Sequence, residues 1–272
     1  MSRGNDPTVT DRNTKGLIRL STIDERRERA SAGVALNHDP DGWYGDFARP
    51  RVFLQPIAAP SILGLFGFAA ATFIVAANLA GWYGNSSTPA YLFPFALTFG
   101  GIAQFAAGMW SYKARDGVAT AMHGMWGSFW IGYGILQLLL ATHVLHTGGT
   151  LDSALGFWFI ALAALTFSGA VGALLEGNGG LLVVLSTLSG GSAVAAFGFL
   201  YESTTTQHWA GWIFVISAAC AWYVATAMMW LGSAGRTILP AFKTNMEANK
   251  PGGQPTRAIQ LDWAEPGVKQ GQ

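Results

Sequence analysis

The chain has 272 residues, of which 51% are apolar and only 11% are charged. Soluble proteins carry about 25% charged residues, so this composition excludes a disordered chain and argues against a water-soluble enzyme. The Lys and Arg residues form three groups: nine before residue 52, two at Lys113 and Arg115, and five after residue 235. With a net charge of +1, this segregation argues against a nucleic-acid-binding surface. The single cysteine, Cys220, excludes a disulfide framework and a thiolate metal cluster.

Six apolar segments follow one another along the chain. They cover residues 60–82, 91–110, 118–143, 151–175, 181–201 and 209–232. Each has about the 20 residues that are needed to cross ~30 Å of hydrocarbon, and backbone polar groups in lipid must pair within a helix. The pattern predicts an all-α integral membrane protein with six transmembrane helices. Its predicted parts are a polar N-terminal segment (1–57), a transmembrane domain (58–235) and a polar C-terminal tail (236–272).

The distribution of basic residues predicts the orientation of these helices. Six spans place both termini, the loop at Lys113 and Arg115 and the loop at 177–180 on one side of the membrane. All 16 Lys and Arg residues lie on that side, and the three opposite loops carry none. Since basic loops remain cytoplasmic, both termini are expected in the cytoplasm, in a multi-pass protein of the inner or plasma membrane.

The predicted spans hold few groups that could do chemistry. No Asp, Glu, Lys or Arg lies centrally in them, which disfavours a carboxylate-based proton pump and a retinal protein. The titratable side chain of note is His123, and a lone histidine more often bonds to a neighbouring helix than to a metal or haem. We therefore expect no enzyme activity, catalytic residue, metal or cofactor.

Neutral polar side chains are the remaining candidates for function inside the spans. They include Thr72, Asn78, Gln104 and Ser128. Such groups either form hydrogen bonds between helices or line a path for a small polar solute. Composition leaves both interpretations open.

Three stretches resemble the acetate uptake transporter family, also called succinate–acetate permeases. Residues 59–68 (APSILGLFGF) resemble the family's N-P-A-P-L-G-L signature and the Gly-Phe that follows it. Residues 100–110 (GGIAQFAAGMW) and 127–130 (GSFW) are similar to its elements in helices two and three. Residues 210–213 (AGWI) and 235–240 (GRTILP) are similar to the two ends of its sixth helix. The order and spacing agree over residues 59–240, although Ala59 and Ile62 replace the Asn and second Pro of the signature.

The resemblance implies a channel or transporter for small monocarboxylates such as acetate, or for succinate and related acids. It implies a homo-oligomer, a hexamer in this family, with a pore within each protomer and membrane lipid around it. Carried over residue by residue, the family's pore constriction corresponds to Phe68, Trp126 (in the place of a Tyr) and Leu188. An apolar ring of this kind dewets and blocks hydrated ions.

Two other functions stay open from the sequence. A non-transporting membrane scaffold or sensor would use residues 1–57 to bind a partner, with the spans as an anchor. A quinol or haem redox subunit would rest on His123 and on His143 and His146 in an opposite loop. Flux of a labelled carboxylate into liposomes distinguishes a transporter from a scaffold or sensor. The absorbance of the purified protein tests for a redox subunit.

Overall fold

The computed structural model describes residues 57–244 and residue 251. This part of the chain forms six long helices, α1 (Pro60–Leu79), α2 (Thr88–Lys113), α3 (Gly117–Ala141), α4 (Gly149–Leu175), α5 (Gly179–Leu200) and α6 (Thr204–Ala234). Each is long and apolar enough to cross a membrane, so the predicted six-helix architecture is confirmed. Residues 1–56 of the predicted N-terminal segment lie outside the described residues, as does the predicted tail beyond residue 244, apart from residue 251.

Local sequence signals account for where the helices begin and end. Pro60 stands in the first turn of α1, where its missing N–H would have no helical partner. The carboxylate of Asp116 accepts a hydrogen bond from the backbone N–H of Ala119 at 2.9 Å and so caps α3. Helix α6 ends at Gly235, whose φ of 64° is the left-handed conformation that glycine adopts without strain.

Helix α2 is not a regular α-helix along its whole length. Its central part, Ala96–Ala103, is a π-helix between two α-helical parts. Pro94 lies just before it, and because proline has no N–H it cannot donate the regular helical hydrogen bond. The Thr98 hydroxyl donates to the Pro94 carbonyl at 2.7 Å. The π-helix brings Gly100 and Gly101 against neighbouring helices.

The helices enclose a buried core and present an apolar outer surface. Helix α1 packs against α2 and α6, α4 packs against α5, and α5 packs against α6, whereas α3 and α4 approach each other only over a short stretch. Large side chains such as Phe157 and Leu175 are exposed, as expected of surfaces that face lipid. Trp82 and Trp212, which lie near span ends, are also exposed, and their rings are 5.0 Å apart.

The segment after α6 folds back onto the turn between α4 and α5. The backbone N–H of Gly179 donates to the Phe242 carbonyl at 2.8 Å, and that of Thr244 donates to the Gly177 carbonyl at 2.9 Å. The Tyr223 hydroxyl donates to the Pro240 carbonyl at 3.0 Å. These bonds tie residues 240–244 to the turn between α4 and α5 and to Tyr223 within α6.

Candidate functional site

An aromatic pair lies in the centre of the helical core. Phe68 on α1 and Trp126 on α3 are each only 3% exposed. Their ring centroids are 6.1 Å apart and their planes meet at 68°, an edge-to-face contact that is favourable between aromatic quadrupoles. Two of the three predicted constriction residues are therefore in direct contact.

Leu188 belongs to the same buried core. It is 2% exposed and lies on α5, where its carbonyl accepts a hydrogen bond from the Ser192 hydroxyl at 2.8 Å. The three residues predicted from the family resemblance thus come from three different helices and share one apolar interior.

Close backbone packing fixes the position of Trp126. A Cβ on the adjacent Gly127 would lie 2.6 Å from the backbone nitrogen of Phe105 on α2, so only glycine permits this approach. On the other side, the indole Nε1–H donates to the Thr166 hydroxyl of α4 at 3.0 Å. Thr166 is fully buried and was not among the residues predicted from sequence. Ser168 lies two residues further along the same span, so polarity alone does not single out Thr166.

Further aromatic rings extend the pair across the bundle. Phe129, on α3, contacts Trp126 at 5.2 Å and Phe159 of α4 at 5.8 Å between ring centroids. Phe159 in turn contacts Phe199 of α5 and Phe214 of α6, at 5.6 Å and 6.1 Å. Aromatic side chains from five helices therefore meet in the interior. Phe68 and Trp126 are the two of these that the sequence predicted as constriction residues.

Thr72 and Gln104, two of the predicted polar residues, are buried among the helices that carry these aromatic rings. Thr72 follows Phe68 by one helical turn, and Gln104 lies where the π-helix of α2 ends. Both side chains are buried, and within residues 57–244 the Thr72 Oγ1 and Gln104 Oε1 atoms have no hydrogen-bond partner. Trp130 Nε1, one turn after Trp126, is in the same condition. An unsatisfied buried polar atom costs about 1–3 kcal/mol, so each of the three lowers the stability of this interior.

The other two predicted polar residues lie elsewhere. The Asn78 side chain donates to the Tyr83 carbonyl at 2.8 Å and stabilises the turn after α1. Ser128 is exposed, and its hydroxyl donates to the Gly124 carbonyl of its own helix at 2.8 Å. It faces an open groove of about 870 Å³ between α2 and α3. These two side chains are not brought together with Thr72 and Gln104.

His123 is buried against α1, one turn from the aromatic pair. A Cβ on Gly64 would lie 2.5 Å from the imidazole Nδ1 and Cε1 atoms, so the ring fills the space left by the absent side chain. Within the described part of the chain, no group of three or more His, Cys, Asp or Glu side chains is placed to hold a metal ion. The packing gives His123 a structural role.

Comparison with known proteins gives the family. The model of the GPR1/FUN34/yaaH family matches residues 48–245, which is most of the chain. The chain belongs to this family. The resemblance found in the sequence motifs is thereby confirmed, and the chain is a multi-pass protein of the cell membrane.

Individual relatives are transporters or channels. The chain is 28% identical over 188 residues to the succinate-acetate/proton symporter SatP of Escherichia coli (strain K12), covering 68% of this chain and 95% of that protein. It is 27% identical over 192 residues to the ammonia transport outward protein 3 of Saccharomyces cerevisiae, covering 67% and 66%. The solved structure of the bacterial acetate channel SatP matches with a TM-score of 0.63 and 27% identity, covering 68% of this chain and 99% of that one.

Proposed function

We propose that the chain transports small monocarboxylates such as acetate through a pore within each protomer. The observation that carries this proposal is the buried contact between Phe68 and Trp126, in a six-helix chain that is similar along most of its length to an acetate channel. Succinate and related acids are the alternative cargo, since one relative is a succinate-acetate/proton symporter.

In this proposal Phe68, Trp126 and Leu188 form the constriction. Three apolar side chains from three helices leave no hydrogen-bonding surface for water, so a hydrated ion meets a dewetting barrier. A short carboxylate presents a methyl group to the ring and can pass it in a way that an inorganic anion cannot. Thr72 and Gln104, with unsatisfied polar atoms beside the ring, are proposed to line the path, whereas Asn78 and Ser128 lie away from it.

The arrangement in the membrane is also part of the proposal. Both termini are assigned to the cytoplasm because all Lys and Arg residues fall on that side. The family resemblance supports a homo-hexamer in which each protomer has its own pore. Residues 1–57 and 236–272 then form cytoplasmic segments that flank the transmembrane domain.

Flux of labelled acetate into liposomes tests the function. The purified full-length chain, reconstituted at several protein-to-lipid ratios, should raise acetate uptake above that of protein-free liposomes in proportion to the protein. A scaffold or sensor predicts no such increase. Uptake that equals the protein-free value at every ratio would reject transport.

A further inference from the structure

Four phenylalanine rings form a continuous cluster next to the proposed constriction. Phe159 of α4 is its centre, because its ring contacts rings of three other helices. These partners are Phe129 of α3, Phe199 of α5 and Phe214 of α6. Phe129, Phe159 and Phe214 are each 7% or 8% exposed, and Phe199 is partly buried against the same core. Four helices therefore meet at one aromatic side chain.

The contacts between α3 and α4 place this cluster relative to the constriction. Trp126 of α3 bonds to Thr166 of α4. Phe129, three residues after Trp126, contacts Phe159, seven residues before Thr166. The two helices are therefore antiparallel, and these intervals correspond to about 5 Å along α3 and about 10 Å along α4. Seen from Asp116, where α3 begins, the phenylalanine cluster lies beyond Trp126.

One face of α4 connects the constriction with the cluster. Leu162 follows Phe159 by three residues and precedes Thr166 by four, and residues at these spacings lie on the same face of a helix. Leu162 and Thr166 have no exposed surface, and Phe159 is nearly buried. The face therefore points into the interior, with Leu162 between Thr166 at the constriction and Phe159 in the cluster.

Close packing beside the cluster leaves little space between the helices that carry it. A Cβ on Gly156, three residues before Phe159, would lie 2.5 Å from Cγ of Leu200 on α5. A Cβ on Gly191 of α5 would lie 2.7 Å from Cδ1 of Phe214, so this ring rests directly on α5. A solute that has passed the constriction therefore meets the four rings before it finds a way out between α4, α5 and α6.

The cluster has the physical character of a barrier. Phenylalanine rings offer no hydrogen bond to water or to a carboxylate, and a narrow passage lined by such groups dewets. The edge-to-face and stacked contacts of Phe159 are worth more than the burial of the rings alone, so separating them requires free energy. A hydrated solute is thus opposed at Phe159 as well as at Trp126.

We propose that Phe159 forms a second apolar barrier in the transport path, on the side of the constriction away from Asp116. This inference rests on the transport function proposed above. Leu162 lines the space between the two barriers, and a short carboxylate passes them one after the other. Phe159 touches all three partner rings, so its displacement opens the whole cluster.

A purely structural aromatic core is the competing interpretation. Both interpretations predict a lower melting temperature when Phe159 is shortened, because a buried ring is lost. They differ in whether the shortened side chain also lets a solute reach Leu162. Access to position 162 is therefore decisive.

The first test measures the reaction of a thiol at that position. Leu162→Cys protein, in a Cys220→Ser background and in lipid nanodiscs, is treated with sulfonatoethyl methanethiosulfonate, a small anionic thiol reagent. The mass shift is followed with time. Adding Phe159→Ala should raise the reaction rate at least about tenfold, since three aromatic contacts are lost together.

Phe157→Ala is the matched control for the thiol reaction. Phe157 lies on the same helix and is 68% exposed, so its loss should leave the rate at position 162 unchanged. If Phe159→Ala does not fold, Phe159→Leu takes its place, because leucine keeps an apolar side chain and lacks the aromatic contacts. A rate that is equal in the Phe159 variant and in the control overturns the proposal.

Flux of labelled acetate into liposomes is the second test. Because the two barriers lie in series, the higher one limits the rate, so Phe159 is tested in a Trp126→Leu background. Adding Phe159→Leu there should raise uptake about two- to tenfold, the equivalent of one aromatic contact, whereas adding Phe157→Leu should not. Unchanged uptake overturns the second barrier. Absence of protein-dependent uptake by the unmodified chain rejects the transport function instead, and the thiol rates then decide by themselves whether Phe159 closes the interior.

Discussion

The indole nitrogen of Trp126 donates a hydrogen bond to the hydroxyl of Thr166, with 3.0 Å between the two atoms. This bond joins α3 to α4, although these two helices approach each other only over a short stretch. It holds the indole in the orientation in which its ring meets Phe68 edge to face. The width of the proposed constriction therefore depends on a residue of α4 that is not one of the three constriction residues.

Thr166→Val tests this dependence, because valine keeps the shape of threonine and removes the acceptor. The unsatisfied indole N–H should cost about 1–3 kcal/mol of folding free energy, seen as a lower melting temperature in detergent. A freer indole should also weaken the selection of acetate over butyrate in liposome flux.

Thr226→Val is the matched control for that experiment. The Thr226 hydroxyl bonds only to the Trp222 carbonyl of its own helix, at 2.8 Å, so both stability and selectivity should stay close to those of the unmodified chain. If Thr166→Val behaves like this control, the bond does not position Trp126.

The contact of α2 with α3 gives a second prediction, from two glycines on one helix. Gly127→Ala would place a Cβ 2.6 Å from the backbone nitrogen of Phe105. Since backbone atoms cannot rotate away as a side chain can, only a separation of α2 from α3 relieves this clash. We expect a loss of roughly 1–3 kcal/mol, as for other overpacked sites. Gly132→Ala meets no atom within 4 Å and should gain up to about 1 kcal/mol from helix propensity. If the melting temperatures of the two variants shift by the same amount, the packing described for Gly127 is wrong.

The sequence alone predicts the six helices well, for reasons that the structure makes clear. In lipid, a run of about 20 apolar residues must form a helix, because its backbone polar groups have no other partners. The limits of the apolar runs lie within five residues of the observed helix ends. The π-helix at Ala96–Ala103 could not be predicted, because Pro94 signals a disturbed helix but not how neighbouring helices accommodate it.

The site was predicted less completely than the fold. Phe68 and Trp126 came from the family resemblance, whereas the contacts of Thr166 with Trp126 and of Phe159 with Phe129 join α3 to α4 and arise only in the tertiary fold. The outward position of Ser128 could have been derived from helix geometry. Trp126 and Trp130 are four residues apart and share a face, so a residue two positions from each lies on the opposite face.

Topology provides a third prediction. Ser87 lies in the exposed turn before α2, and Lys113 is the exposed last residue of that helix. A helix of 26 residues spans about 39 Å at 1.5 Å per residue, enough to separate the two across a membrane. In a Cys220→Ser background, Ser87→Cys should react with an impermeant thiol reagent outside intact cells, and Lys113→Cys should react only after permeabilisation. Labelling of both in intact cells contradicts the six-span orientation.

The choice of cargo provides a fourth prediction. A dicarboxylate must lose more hydration than a monocarboxylate, and the described helices offer no central cation in exchange. Acetate should therefore enter proteoliposomes faster than succinate at equal concentration and pH 7. A higher protein-dependent rate for succinate would show that charge compensation exists along the path.

The constriction provides the fifth prediction, through Trp126→Ala. If Phe68, Trp126 and Leu188 form one apolar ring, removing the indole widens it, so butyrate should enter at a rate closer to that of acetate. The loss of a buried Trp costs about 3–5 kcal/mol, so flux is compared only for protein that elutes as one monodisperse species. Trp158→Ala is the control, since Trp158 is exposed on α4 and its loss leaves the ring intact. A folded Trp126→Ala protein that keeps the original ratio of acetate to butyrate flux shows that Trp126 does not line the pore.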